Sequence, residues 1–326
     1  MDAIKNKIIL IKNYILVGCL YRKYTNKVIS YMLRRGDFTN QLFEDIRNQY
    51  IRCTIPYIYK NASDSDLLDC ISYVERNQPA MFCYDDAQAS HYDICDVHYD
   101  KSVNLYFGYW GGKKLYLKCS INTPEMAQNY LSNLIWEQSC ESPHRYLTEK
   151  FNVSLGGVVL DVGGAEGNFA LTVIDKASKI YIFECDEEWI EALNYTFAEY
   201  KDKIEIIRKY VCDRNSPETI TLDRFISDYN IDRIDMIKMD IEGAEISAIK
   251  GSKKSIRSRR INKWTVCTYH NPKDARVISW LLRDYLQEYS RGYIMSVVWR
   301  RSIKAPYWVR GVLRANYKEP LIEADK

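Results

Sequence analysis

At 326 residues the chain exceeds the usual single-domain size, so a main domain with an appended region is expected. Hydrophobic residues make up 47%, enough for a sizeable core, and a net charge of +3 is too small for a nucleic-acid binder. That charge is uneven: residues 1–52 carry +6, 53–251 carry −14 and 252–326 carry +11. Basic ends around an acidic middle fit an anionic substrate or membrane surface, or complementarity within the molecule.

Residues 1–80 read as helical. Apolar positions recur at three- and four-residue spacing from Ile4 to Leu33, and Leu42-Phe43-Ile46 and Leu67-Leu68-Ile71 continue the period. Turns are expected at Gly36-Asp37 and from Asn61 to Ser65, the latter capping a helix. The apolar stretch Ile8 to Leu20 is broken by Lys12 and Asn13, is too short to span a bilayer, and precedes no signal-peptide cleavage site. With Lys5, Lys7, Arg22 and Lys23 it forms either an interfacial helix in peripheral membrane contact or one packed on its own domain or a partner subunit, as in a homo-oligomer. Residues 92–121 alternate, with Leu105-Tyr106-Phe107 and Leu115-Tyr116-Leu117 on either side of Gly111-Gly112, the pattern of a hairpin. A helix follows from Pro124 to Ile135. This divides the chain into a helical cap (1–90), a hairpin-and-helix lead-in (91–134) and a main domain (135–320).

From about residue 155, strands alternate with helices. Strands are expected at Val158–Val162, Lys179–Glu184, Ile204–Tyr210, Ile234–Asp240, Trp264–His270, Tyr293–Trp299 and Val309–Arg314. Helices are expected at Asn168–Lys176, Glu187–Tyr200, Ala244–Lys250 and Lys273–Glu288. The pattern predicts an α/β domain with a doubly wound, mostly parallel seven-stranded sheet, whose ligand binds at the carboxyl ends of the strands. Asp161, Glu184, Asp213, Asp240 and His270 fall on that rim. None of the ten cysteines forms a C-x-x-C pair, so zinc and thioredoxin-like motifs are not expected, and a reducing cytoplasm suits so many unpatterned thiols.

The string Val158 to Phe169 is an apolar run, an acid and a glycine-rich turn opening a helix, the layout that brings a nucleoside cofactor against backbone amides. It lacks the G-x-G-x-x-G spacing of a pyrophosphate site, and Asp161 would repel a pyrophosphate. A carboxylate there suits the ammonium and sulfonium of S-adenosylmethionine. An NAD-dependent oxidoreductase on a sugar nucleotide and a non-catalytic cofactor binder are the alternatives.

Leu160-Asp161-Val162-Gly163-Gly164-Ala165-Glu166-Gly167-Asn168-Phe169 resembles motif I of the FkbM-type methyltransferases. Ile182-Phe183-Glu184 resembles their second-strand end, and Thr221-Leu222-Asp223-Arg224-Phe225 their "LD" segment. Ile234 to Glu245 is very similar to their hallmark "iDxiKxDxEGxE" string. Tyr269-His270-Asn271-Pro272 and Ser142-Pro143-His144-Arg145-Tyr146 resemble further family segments. The chain departs from the family at Gly164 and at Cys185-Asp186. The resemblance covers about 135–315. It implies a class I, S-adenosylmethionine-dependent O-methyltransferase acting on a small-molecule or glycan acceptor, commonly a sugar hydroxyl of a surface polysaccharide. It places the cofactor against Asp161, Gly163, Gly164, Ala165, Gly167, Asn168, Glu184, Cys185, Asp213 and Asp240.

Within that frame, Asp161 and Gly163 are expected at the methionine end. Glu184 is expected at the ribose, with a helix N-cap as its structural alternative. Asp213 contacts the adenine amine or forms a turn. His270, Asp240 and Glu242 are the candidates for the acceptor's proton. Asp240 either takes that proton itself or holds His270 in one tautomer. A third reading gives the three residues to a divalent ion, Mg²⁺ or Mn²⁺, though no complete ligand set is legible. Lys238 is expected to buttress the sheet, and Glu245 to serve the helix dipole. His144 and Arg145 belong to the acceptor pocket or a loop contact. Arg300, Arg301 and Lys304 meet an acceptor anion or form a solvated face.

Overall fold

The computed structural model describes residues 51, 55–56, 58–59, 61–77, 80–84, 96–296 and 306–317. The expected features of residues 1–50, and Arg300, Arg301 and Lys304, lie outside them. The chain divides into two compact units, Met1–Tyr84 with Met295–Trp308, and Asp85–Ile294 with Val309–Lys326. Among the described residues no helix is long and apolar enough to cross a membrane.

In the smaller unit, helix α1 (Ser65–Arg76) buries Leu67, Cys70, Ile71 and Val74, residues at helical spacing. Asp64 caps it by accepting from the Leu67 amide at 3.1 Å, as the turn residues predict.

The larger unit opens with a three-stranded antiparallel sheet, β1 (His98–Asp100), β2 (Leu105–Trp110) and β3 (Lys113–Tyr116). Its β2–β3 turn is Gly111-Gly112, both at positive φ, which glycine adopts at least cost. Helix α2 (Pro124–Glu137) follows, capped by Thr123. The main sheet is built from β4 (Val158–Val162), β5 (Lys179–Phe183), β6 (Ile204–Ile207), β9 (Ile234–Met239), β10 (Ile261–Cys267), β11 (Tyr285–Tyr289) and β14 (Val312–Tyr317). Its order is β11-β14-β10-β9-β4-β5-β6. The five strands from β10 to β6 are parallel, and β14 runs antiparallel to both β10 and β11. This is the predicted Rossmann-like sheet. Helices α3 (Asn168–Val173), α4 (Glu187–Thr196), α5 (Leu222–Asp228), α6 (Glu245–Lys250), α7 (Lys253–Arg257) and α8 (Asp274–Leu281) connect its strands. Leu160, Ile237, Met239, Trp264 and Val266 are wholly buried in its core. The chain winds outward from β4 to β6, then crosses back to β9 on the other side of β4. That reversal leaves a crevice at the carboxyl ends of β4 and β9.

Three expected elements differ. The helix expected over Lys273–Glu288 ends at Leu281, and Tyr285–Tyr289 becomes the edge strand β11. Its alternating burial is the period of a strand, and the Gln287 amide bonds the Ser279 and Leu282 carbonyls, stopping the helix. The strand expected at Ile204–Tyr210 stops at Ile207, and β7 (Tyr210–Val211) pairs instead with β8 (Thr219–Ile220). The strand expected from Tyr293 is not part of the large sheet: β12 (Ile294–Met295) pairs with β13 (Trp308–Val309).

Candidate active site

β4 ends at Val162 and the chain turns through Gly163 at φ 82°. A Cβ at Gly163 would stand 1.9 Å from the Asp240 carbonyl oxygen, so only glycine lets β4's turn lie against the end of β9. The Gly163 and Gly164 amides both donate to the Phe183 carbonyl. Glu184 accepts the Ala165 amide on Oε2 at 2.8 Å and the Cys185 and Asp186 amides on Oε1 at 2.7 and 2.9 Å. The N-cap of α4 is Asp186, whose side chain accepts from the Glu188 amide. Glu184 is therefore not that cap, and its Oε2 keeps acceptor capacity at the mouth of the glycine turn. Cys185 beside it is half-buried, its thiol pushed up to about 11 by burial and by Glu184 and Glu187.

Glu166, in the same turn, is buried and accepts the Tyr130 hydroxyl at 2.6 Å. Burial pushes its carboxyl up to about 7 against that bond. Tyr130 lies on α2, so the lead-in helix pins the turn. Asn168 is buried at the start of α3. Asp213 is exposed, with its backbone amide bonded to Ser247 Oγ at 3.2 Å.

Lys238 corrects the sequence reading. Period two puts it on the same face of β9 as Asp240, and the register sets it opposite Asp161 on β4. Its ammonium stands 3.1 Å from Asp161 Oδ1, with side chains 5% and 0% exposed, and donates to the Gly163 carbonyl. Burial alone would pull its pKa down, but Asp161 and Asp240 reverse that and raise it, keeping the cation. Asp161, expected to meet the cofactor's positive charge, thus carries a counter-ion from its own chain.

Asp240 is the hub of the site. Tyr146 donates its hydroxyl to Oδ2 at 2.8 Å. His144 Nε2 lies 3.5 Å from Oδ2, and His270 Nε2 lies 3.3 Å from Oδ1. Burial would raise the carboxyl, but His144, Lys238 and His270 hold it well below the usual range. His144 is only 4% exposed. Gln138 Oε1 accepts the Tyr146 amide, and its Nε2 lies 3.3 Å from His144 Nδ1, with Glu137 Oε2 3.8 Å from the same nitrogen. The His144 Nε2 faces Asp240 and the Tyr269 hydroxyl, the latter at 3.0 Å. His144 is thereby placed behind Asp240, and only its neighbour Arg145 reaches the open cleft.

His270 is buried, with Nδ1 2.8 Å from Glu245 Oε1 and Nε2 3.6 Å from Glu242 Oε2. Burial lowers its pKa, but Glu245, Asp240 and Glu242 more than offset this and raise it. Glu242 is exposed and held at φ 55°, a strained conformation for a non-glycine residue.

Two donor groups have metal-like spacing, His144–Asp240–Cys267 and Asp240–Glu245–His270, each within 4.8 Å. In the second group Asp240 Oδ1 and Glu245 Oε2 are buried without a hydrogen-bond partner among the described residues. The donor set of two carboxylates and an imidazole fits a divalent cation as well as a proton.

A cleft of about 330 Å³ opens beside this network. Arg145, Tyr146, Asn152, Asn168, Thr172 and Trp110 line it. The Trp110 indole donates to Thr172 Oγ1 at 2.8 Å, tying the hairpin to α3. The Tyr146 ring forms part of the wall while its hydroxyl reaches Asp240. Sequence reasoning placed Asp240 and His270 on this rim but missed Tyr146 and Tyr130, which come from far along the chain. The alternation in Lys238-Met239-Asp240 was the signal that could have found Lys238.

Residues 213–295 match the family model of the methyltransferase FkbM domain. Over those residues the chain is similar to that domain. The matched stretch contains β9, β10 and β11 of the sheet described above. No curated protein matches the chain in sequence. Among solved structures, it resembles a methyltransferase FkbM from Methylobacillus flagellatus at 19% identity and TM-score 0.41, over 59% of this chain and 54% of that one. It also resembles a putative RNA methyltransferase from Pyrococcus horikoshii at 16% identity and TM-score 0.32, over 59% and 86% of the two chains. A tRNA methyltransferase from M. jannaschii matches at 14% identity and TM-score 0.36, over 66% and 57%. The chain thus spans about half the length of the first of these relatives.

Proposed function

We propose that this FkbM-type domain transfers a methyl group from S-adenosylmethionine to a hydroxyl of a sugar in a surface polysaccharide or glycolipid precursor. The observation that carries the reading is His270 beside Asp240, at the crevice where β4 and β9 diverge and next to the glycine turn. The residues fit the cofactor. Glu184 Oε2 accepts one amide and keeps a second lone pair for a ribose diol, and Asp240 offers an anion to a cationic ligand. The turn from Gly163 to Asn168, with Glu184, Cys185 and Asp213, would hold it. When bound, it supplies an electrophilic methyl group on sulfur.

The chain's own residues do the rest. The Trp110–Arg145 cleft holds the acceptor, with the indole and Tyr146 offering flat faces to a sugar ring and Arg145 a fork for its oxygens. Holding the hydroxyl in line supplies much of the rate. His270 takes the hydroxyl proton, and Asp240 stabilises the imidazolium that results.

The test is release of S-adenosylhomocysteine from S-adenosylmethionine with a panel of cell-envelope saccharides. His270→Ala and Asp240→Ala are expected to lose turnover while titrating with S-adenosylhomocysteine much as the parent does. Wild-type rates in both variants, or no binding of S-adenosylhomocysteine by folded protein, would sink the assignment.

A further inference from the structure

Arg145 lies in the lead-in segment before β4, and its backbone is clamped to the sheet. Arg314 on β14, 5% exposed, donates Nη2 to the Arg145 carbonyl at 2.8 Å and Nε to the Tyr146 carbonyl at 3.2 Å. Thr265 on β10 donates its hydroxyl to the same Tyr146 carbonyl at 3.2 Å. From this fixed backbone the half-buried Arg145 lines the cleft. Its guanidinium makes no ion pair and no hydrogen bond among the described residues. It also stands near another cation. Burial pulls the Arg314 pKa below its usual value, Glu288 opposes this, and the Arg145 charge adds to it.

Much of the remaining polar lining is already bonded. Thr172 Oγ1 donates to the Asn168 carbonyl at 2.8 Å and accepts the Trp110 indole at 2.8 Å. Gln138 gives Nε2 to the His144 carbonyl and takes the Tyr146 amide on Oε1, both at 3.1 Å. Asn152 Oδ1 accepts the Val153 amide at 2.8 Å, which leaves the Nδ2 hydrogens for a ligand. Thr148 Oγ1 accepts the Phe151 amide at 2.9 Å and keeps its O–H. Asn168 is 5% exposed, yet its side-chain amide forms no hydrogen bond among the described residues. A buried amide costs stability unless something bonds it, and this one borders the cleft. The open capacity is therefore a guanidinium fork with amide and hydroxyl donors around it.

A carboxylate meets that pattern, because its two oxygens accept bidentately from a planar fork and again from neighbouring N–H groups. The charged residues of the lining are Arg145 and an exposed Glu149. One open fork matches one negative charge, and the Glu149 carboxylate disfavours a dianionic phosphate. At about 330 Å³ the cleft is at the small end of ligand pockets, suited to a single sugar ring. We propose that the acceptor is a carboxylate-bearing sugar of the hexuronate class, its carboxylate held by Arg145 with Asn152 and Asn168. The inference rests on the reading of this cleft as the acceptor site of a sugar methyltransferase. With the carboxylate anchored there, the ring hydroxyls lie beside Tyr146, whose own hydroxyl reaches Asp240.

The test is calorimetric titration of the full chain, saturated with S-adenosylhomocysteine, with methyl glucuronide, methyl galacturonide, the uncharged amide of each, methyl glucoside and glucose 6-phosphate. A uronate is expected to bind roughly 10- to 100-fold tighter than its amide, and tighter than the sugar phosphate. Arg145→Met brings uronate and amide to near equality, while Arg145→Lys, which keeps the charge without the fork, retains part of the preference. Asn152→Asp keeps the oxygen that accepts the Val153 amide but sets an anion in the cleft. It weakens the uronate far more than the amide, and serves where an Arg145 variant does not fold. Amides that bind as tightly as uronates overturn the proposal. So does tighter binding of glucose 6-phosphate, or a uronate preference that survives in folded Arg145→Met and Asn152→Asp. Neutral saccharides that bind while uronates do not refute the carboxylate and leave the sugar reading standing. Protein that binds S-adenosylhomocysteine but no saccharide refutes the sugar reading, and this proposal with it.

Discussion

Breaking the Lys238–Asp161 pair should cost more stability than any surface change in the domain. The two groups lie 3.1 Å apart on adjacent central strands, 5% and 0% exposed, where neither water nor salt screens them. Removing one partner leaves the other buried and uncompensated, a loss of about 3–5 kcal/mol. At roughly 1.4 kcal/mol per tenfold, the ratio of folded to unfolded protein falls by about a hundred- to several-thousand-fold. For a domain of this size the melting temperature drops by roughly 6–20 °C. Urea unfolding of Lys238→Met, Asp161→Asn and the double variant measures the pair. Each single variant should lose most of that energy, and the double should recover a large part, because it buries no orphan charge. Binding and stability should also part company. The double variant refolds, but Gly163 loses the ammonium on its carbonyl and S-adenosylhomocysteine binds more weakly. Single variants as stable as wild type, or a double variant whose loss is the sum of the singles, would refute the reasoning.

The remaining expectations follow from single observations. Gly163→Ala should destabilise by at least about 2 kcal/mol and abolish cofactor binding, since a Cβ at φ 82° meets the Asp240 carbonyl; thermal melts and calorimetry check it. Glu166 has a folded pKa near 7, above its unfolded value. Its neutral form therefore adds stability that is fully present below about pH 4.5 and lost as pH rises through 7, roughly 3 kcal/mol in all. Glu166→Gln should flatten that decline in urea midpoints between pH 5 and 7.5. Arg145→Ala and Trp110→Ala should raise KM for the acceptor several-fold, with a smaller effect on affinity for S-adenosylhomocysteine, because both line the cleft. Chelation should leave turnover unchanged; a loss restored by Mn²⁺ would make His270 a ligand in place of a base.

Val158–Val162 and the glycine turn after it were legible from the residues, because an apolar run and a left-handed bend are local demands met by local residue types. Strand alternating with helix likewise determined a parallel sheet, and with it the rim on which Asp240 and His270 stand. The edge strand Tyr285–Tyr289 was misread as helix because its alternation directly follows a true helical period. What surrounds Asp240 was decided by tertiary structure. Tyr146 arrives from 94 residues away, and His144 reaches Tyr269 across 125. Lys238 meets Asp161 only because β9 and β4 pair in one register. Glu245 became more than a helix-opening acid only once β10 set His270 against it. Backbone preference and burial period are properties of neighbours along the chain, so sequence determines them. Which charges share a buried space depends on strand order and register, and these are settled when the whole sheet packs.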